Sequence, residues 1–199
     1  MTSFSNPERL KKLFDEEVNL FVSRNPESKK LHAKAAGPMM NGVPMSWMAK
    51  WPGPYPVYVK SAKGAHFSDV DGNDYVDFCL GDTGAMVGHS PDASINAIKN
   101  QLEKGITLML PTEDAAIAAQ TLADRFGVEK WQFTLTATDA NRHIIRYARH
   151  ITGRKKILIH DYCYHGTVDE TFANLDEHGN TVSRVNNIGA PVDPKETTW

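Results

Sequence analysis

The sequence predicts an α/β protein in which a helix, an extended arm and a small antiparallel sheet precede a mainly parallel sheet with flanking helices. Three observations carry that expectation. Strand-like and helix-like hydrophobic periods alternate after residue 90. Before them, Asp71-Gly72-Asn73 sits between two short apolar runs and is a strong hairpin signal. Between residues 34 and 56, Gly37-Pro38, Gly42, Pro44, Pro52-Gly53-Pro54 and Pro56 leave little room for regular structure. The chain therefore divides into 1–80, the helix, arm and small sheet, and 81–199, the start of a larger α/β domain.

Taken in order, Pro7 after Asn6 opens the first helix, and Leu10, Leu13, Phe14, Val18 and Phe21 share one face to about Arg24. In the arm, Met39, Met40, Met45, Trp47, Met48 and Trp51 are too apolar for a free linker. Such a segment needs a surface to lie on, its own core or a partner subunit. Val57-Tyr58-Val59, Ala65-His66-Phe67 and Tyr75-Val76-Asp77-Phe78 read as strands, separated by Lys63-Gly64 and by the Asp71-Gly72-Asn73 turn. Gly81-Asp82-Thr83-Gly84 follows. Gly88-His89-Ser90-Pro91 then opens a helix with Ile95, Ile98 and Leu102 inward and Gly105 as its stop. Another helix runs from Thr112 to Phe126-Gly127.

Trp131, Phe133 and Leu135 alternate with polar residues as a strand does. Thr136-Ala137-Thr138 follows, and Ile144, Ile145, Ala148 and Ile151 recur at helical spacing until Gly153. Ile157-Leu158-Ile159 is the next strand, and Tyr162-Cys163-Tyr164-His165-Gly166 is the loop that leaves it.

Composition narrows the function classes. The 199 residues are 41% hydrophobic and 23% charged, enough to bury a core in one or two domains. A net charge of −2 argues against a general nucleic-acid or anionic-membrane surface. The two cysteines, Cys79 and Cys163, show no metal or disulfide spacing, and the eight histidines are scattered. The polar N-terminus has no apolar run long enough for export or membrane spanning, so a cytoplasmic protein is expected.

The hydroxyl-rich turn and the aromatic loop carry the chemistry. The first N–H groups of a helix lack intrahelical partners and lie at the positive end of its dipole, so a phosphate there gains backbone and hydroxyl hydrogen bonds together. Thr136 or Thr138 equally suits a plain N-cap. Ligands of open α/β sheets bind beyond the carboxyl ends of strands, where this loop begins. Tyr164 offers a ring face to a flat heterocycle, and Gly166 allows close backbone approach. A half-buried tyrosine capping the sheet is the alternative. Cys163 with His165 suggests a nucleophile pair, which is set aside because neighbouring side chains on an extended chain point apart.

These residues resemble a family. Thr136-Ala137-Thr138-Asp139-Ala140, Ile145-Arg146-Tyr147-Ala148-Arg149, Thr152-Gly153-Arg154-Lys155-Lys156-Ile157 and Tyr164-His165-Gly166 look like class III pyridoxal-phosphate aminotransferases, with glutamate-1-semialdehyde aminomutase and its relatives the nearest branch. Gly64-Ala65, Asp69 to Phe78, Gly88-His89-Ser90-Pro91 and Pro111-Thr112-Glu113 agree, in order, over about residues 30–175. The resemblance implies the N-terminal part of the fold-type I transferase fold, pyridoxal 5'-phosphate as cofactor, a small-molecule amino donor and acceptor, a homodimer, and neither nucleic acid nor membrane as partner. It implies phosphate contact at Thr136, Ala137 and Thr138, ring stacking by Tyr164, loop shaping by His165 and Gly166, and a substrate rim near Trp47, Asp82 and Thr83.

Two departures stand out. The family turn is Ser-Gly-Thr-Glu-Ala; here it is Thr136-Ala137-Thr138-Asp139-Ala140. The family's covalent cofactor lysine, the acidic partner of the pyridine nitrogen and a threonine from the other subunit fall beyond residue 199, so no catalytic residue is expected in this chain, which reads as an N-terminal portion. A racemase, decarboxylase or lyase on the same scaffold, and a non-catalytic half-protein, remain open.

Overall fold

The computed structural model describes residues 6–185, 187, 189 and 192–198. They form two compact units, one through Leu108 and one from Met109.

In the first unit, α1 (Pro7–Arg24) starts where the Asn6 side chain accepts from the N–H groups of Glu8 and Arg9 at 3.0 and 3.2 Å. The chain leaves helical geometry at Asn25, and Pro26 restarts it as α2 (Pro26–Ala35), a helix the sequence reading did not mark. Two short 3-10 turns, Met40–Gly42 and Ser46–Lys50, punctuate the otherwise irregular arm. Strands β1 (Val59–Lys63), β2 (His66–Asp69) and β3 (Asp74–Val76) pair antiparallel in that order, with Lys63 opposite His66 and Phe67 opposite Tyr75. The rings of Phe67 and Tyr75 stack at 4.7 Å. Helix α3 (Asp92–Leu102) follows.

The hairpin tip is the best-satisfied part of this unit. Asp69 is fully buried, and its carboxylate accepts from the N–H groups of Asp71 and Asn73, the Asn73 amide and the Tyr75 hydroxyl, all at 2.8–2.9 Å. Burial alone pushes its carboxyl up, but these donors outweigh burial and hold it below the usual range. The same pair drives the Tyr75 phenol up to about 12, through burial and its bond to Asp69. Asp71 reaches back to α2, accepting from Glu27 N–H at 2.6 Å, Ser28 N–H at 3.0 Å and the Ser28 hydroxyl at 2.7 Å. The hairpin thus caps a helix more than forty positions away.

The second unit holds α4 (Glu113–Phe126), α5 (Ala137–Thr152), an antiparallel hairpin of β4 (Ala173–Leu175) and β5 (Thr181–Ser183), and the short α6 (Pro194–Thr197). Gly127 and Gly153 end α4 and α5 with positive φ, as their positions predict. The β4–β5 hairpin was not foreseen.

The segments read as parallel strands behave differently from expectation. Among the described residues, 131–135 enters no ladder, and Ile157 makes a single parallel bridge, to Thr198. A parallel strand needs a neighbour brought alongside by a crossover. Without one, Leu135 stays 99% exposed. The apolar positions expected on α3 and α5 are only partly covered: Ile95 and Ile145 are half-buried, while Ile98, Leu102, Ile144 and Ile151 are exposed. Among the described residues, no helix is long and apolar enough to cross a membrane.

Candidate functional site

Helix α5 begins where Thr136 takes an extended conformation as its N-cap. Its hydroxyl accepts from Asp139 N–H at 3.1 Å and donates to the Asp139 carboxylate at 2.9 Å. This N-cap satisfies the third helical N–H. The first two, on Ala137 and Thr138, have no intrahelical partner and point out of the helix start. Of the two alternatives for the turn, Thr136 takes the cap and Thr138 does not.

Thr138 has another task. Its hydroxyl oxygen accepts from Thr167 N–H at 3.0 Å, fastening the aromatic loop to the turn. The O–H itself remains a donor, since a hydroxyl has one hydrogen beside its two lone pairs. Gly166 is pressed against this residue with φ of +75°. An added Cβ would stand 2.3 Å from the Thr138 hydroxyl oxygen and 2.9 Å from its Cα. Both the backbone angle and the space therefore require glycine. Asn141 adds a bond from its amide to the His165 carbonyl at 2.9 Å, and the Arg142 guanidinium reaches the Thr167 carbonyl at 3.4 Å. The turn 136–138 and the loop 164–166, thirty residues apart, are brought together. Tyr164 is 68% exposed.

One expectation needs correcting. Cys163 and His165 do not point apart: the Cys163 thiol lies 2.9 Å from His165 Nε2. The two residues are separated by one position, and alternate side chains of an extended segment fall on the same face, so they can meet. The thiol also lies near the His160 carbonyl.

Trp47, Asp82 and Thr83 lie in the first unit, all exposed, Trp47 on the turn Ser46–Lys50. Leu80, Gly81, Asp82 and Thr83 run consecutively with positive φ. For β-branched Thr83 that conformation is strained. Beside this turn Asp77 accepts from the N–H groups of Cys79 and Leu80 and meets His89 Nε2 at 2.6 Å. The bond from His89 and then these N–H groups hold its carboxyl below the usual range.

Sequence reasoning missed three residues that hold the site together. Asn141 stands one helical turn after Thr138, and that spacing could have flagged it. Thr167 acts through its backbone, and Arg184, which donates to the Cys163 carbonyl at 2.7 Å, follows a hairpin without a strong sequence signal. Among the described residues, no cluster of His, Cys, Asp and Glu could hold a metal ion.

Comparison with known proteins agrees on a family. The description Aminotransferase class-III matches residues 47–192. A glutamate-1-semialdehyde 2,1-aminomutase of Methanocaldococcus jannaschii is 36% identical over 175 residues, 86% of this chain and 40% of that protein. The crystal structure of a glutamate-1-semialdehyde-aminomutase from Pseudomonas aeruginosa PAO1 superposes with a TM-score of 0.89 at 41% identity, covering 97% of this chain and 42% of that one. A variant of it was solved in complex with PMP. An omega-transaminase from Sphaerobacter thermophilus matches with a TM-score of 0.78 at 28% identity, over 89% of this chain and 42% of its own. The chain spans about 40% of the length of the relatives it matches.

Proposed function

The chain belongs to the class-III aminotransferases and has their fold-type I architecture in its N-terminal portion, and on that premise we propose that it holds the phosphate and the ring of pyridoxal 5'-phosphate in an enzyme that moves an amino group on an amino acid or amino-aldehyde. The single observation that carries the reading is the junction of turn and loop. Two unpaired N–H groups and the Thr138 O–H converge at the start of α5, and the loop bearing exposed Tyr164 is tied to the same hydroxyl. This donor set fits a phosphate monoester, and an uncommitted aromatic face beside it fits a flat ring.

When bound, the cofactor supplies the electron sink for amino-group chemistry. This chain's residues do the holding. Ala137 and Thr138 donate backbone N–H groups to the phosphate, Thr138 adds its hydroxyl, and Thr136 keeps the helix start open in the right geometry. Tyr164 covers one ring face. Gly166 and Thr167 keep the loop against Thr138. Trp47, Asp82 and Thr83 form the substrate rim, residues 81–199 begin the large cofactor-binding domain, and the enzyme works as a cytoplasmic homodimer.

Thr138→Val in the intact protein tests the reading, with Thr138→Ser as its control. A hydrogen bond to a charged group contributes about 1.5–3 kcal/mol, so the affinity for pyridoxal phosphate should fall by roughly ten- to a hundredfold. Pyridoxal, which lacks the phosphate, should lose only the smaller amount due to the broken Thr167 bond, and serine should restore both. Equal losses for the two cofactor forms would sink the phosphate assignment and leave Thr138 a purely structural tie.

A further inference from the structure

The backbone carbonyls of the two residues on either side of Tyr164 are held by side chains from distant parts of the chain. The Cys163 carbonyl accepts from Arg184 Nη2 at 2.7 Å, and the His165 carbonyl accepts from the Asn141 amide at 2.9 Å. Arg184, just past β5, is itself fixed on three sides. Its Nε donates to the Asn174 side chain at 3.1 Å, its guanidinium lies 5.9 Å from the Phe172 ring centre, and its own N–H donates to the Phe172 carbonyl at 2.8 Å. Between the two held residues stands an exposed tyrosine. A guanidinium bond to a carbonyl is among the stronger hydrogen bonds, and Arg loses rotamer freedom to make it. Such restraint around an exposed aromatic residue positions that residue rather than filling a core.

We propose that Arg184 and Asn141 are positioning residues for Tyr164, clamping the loop from the hairpin side and from the α5 side so that the ring meets the cofactor edge-fixed and face-on. The inference rests on the cofactor reading above and extends it to two residues that touch no cofactor atom. Arg184 holds the peptide that precedes Tyr164 and Asn141 the peptide after His165, so losing either loosens the backbone that carries the ring. Thr138, which holds the Thr167 N–H, fixes the loop further along but not the carbonyls of Cys163 and His165.

A double-mutant cycle on the intact protein tests this. The variants are Tyr164→Ala, Arg184→Met, Asn141→Ala, and each positioning variant combined with Tyr164→Ala. The readouts are the dissociation constant of pyridoxal phosphate and the visible circular dichroism of the bound cofactor, which follows ring orientation. Each single variant should weaken binding about three- to tenfold, the range for lost aromatic stacking. The double variants should be no weaker than Tyr164→Ala alone, and the dichroic band should shrink in Arg184→Met. Arg184→Lys, which keeps one donor for the Cys163 carbonyl, should recover part of the loss. Additive losses, or no loss in Arg184→Met and Asn141→Ala while Tyr164→Ala binds poorly, would overturn the clamp and leave the cofactor reading intact. If Tyr164→Ala binds normally, the stacking role itself is wrong, and the clamp falls with it. Should Arg184→Met fail to fold, Asn141→Ala and Arg184→Lys complete the same cycle.

Discussion

Two helix starts in this chain are treated in opposite ways. At α2 the first position is Pro26, which has no N–H, and the next two N–H groups both donate to Asp71. Every orphan donor of its first three positions is removed or satisfied from within, by a carboxylate that the positive end of the helix favours. At α5 the cap serves Asp139 alone, and the N–H groups of Ala137 and Thr138 are left over. The surroundings follow suit. Around α2 lie fully buried Ser28 and Asp69, with Tyr55 bonded to the Asn25 carbonyl at 3.1 Å. Around α5 no helical residue is buried, and Tyr164 and Leu135 face outward. The α2 start receives its anion from its own chain. On the proposed reading, the α5 start takes its anion from the cofactor instead.

The largest effect should come from breaking the closed end. Asp69→Ala leaves two N–H groups, the Asn73 amide and the Tyr75 hydroxyl without their acceptor inside a buried turn. We expect a loss of about 3–4 kcal/mol in urea unfolding. Asp71→Ala uncaps α2 and should cost about 2 kcal/mol by the same measurement. A change under about 0.5 kcal/mol in both would mean the hairpin does not fasten α2. Acid reads the same contrast. Asp69 and Asp71 both have carboxyls held below the unfolded value, so the stability they contribute is complete above a pH of about 4. It is lost as the pH falls through their lowered folded values. Unfolding followed from pH 6 downward should therefore show a decline in wild type that Asp69→Asn flattens. A parallel decline in that variant would place the acid sensitivity elsewhere.

Next in size is Gly166→Ala, which strikes the open end. The methyl group would sit 2.9 Å from the Thr138 Cα and closer still to its hydroxyl, at a φ of +75°. Left-handed geometry costs an alanine about 1–2 kcal/mol and overpacking about 1–3 more, so the loop should shift rather than absorb both. Cofactor affinity should fall by roughly thirtyfold or more. Gly153→Ala is the matched control, since that glycine has a φ of +68° and open space around its Cβ position. It should cost about 1 kcal/mol of stability and leave cofactor affinity unchanged. Equal effects on binding at the two glycines would show that the close approach of loop and turn has no part in holding the cofactor.

How much of this was legible before the structure depends on how local the signal is. Pro7, Gly127, Gly153 and Asp71-Gly72-Asn73 set their helix ends and hairpin through backbone preferences of single residues, and they lie where the pattern put them. The turn 136–138 and the loop 164–166 could be named because their residue types carry the chemistry. What ties them together could not. Arg184 reaches Cys163 from a hairpin of three-residue strands, too short for any periodicity to announce. The Cys163–His165 encounter was open to view in their spacing of two, since alternate side chains of an extended segment share a face. The parallel ladder failed locally for a different reason. Alternation in Trp131, Phe133 and Leu135 marks a strand with a face to bury, but says nothing of which strand lies beside it.

The smallest expected effect separates the two helix starts most finely. The family turn carries glycine where this chain has Ala137, a difference that reads as an obstacle if the phosphate turn depends on glycine's freedom. The structure puts Ala137 at the first position of α5, in ordinary right-handed helical geometry. Its φ is not among the positive ones. Its N–H stays free to donate, since a methyl on Cα does not block a donor directed out along the helix axis. Ala137→Gly should therefore keep both N–H groups in place and lose only the rigidity of one residue, at most about 1 kcal/mol of stability. Titration with pyridoxal phosphate should show a change in affinity of less than about threefold. A large gain would mean that alanine holds the turn away from its best geometry, and that this helix start is only partly open. A large loss would mean that the methyl group itself packs against the ligand. Either result would move the contrast with α2 from the donors left free to the shape of the turn that presents them.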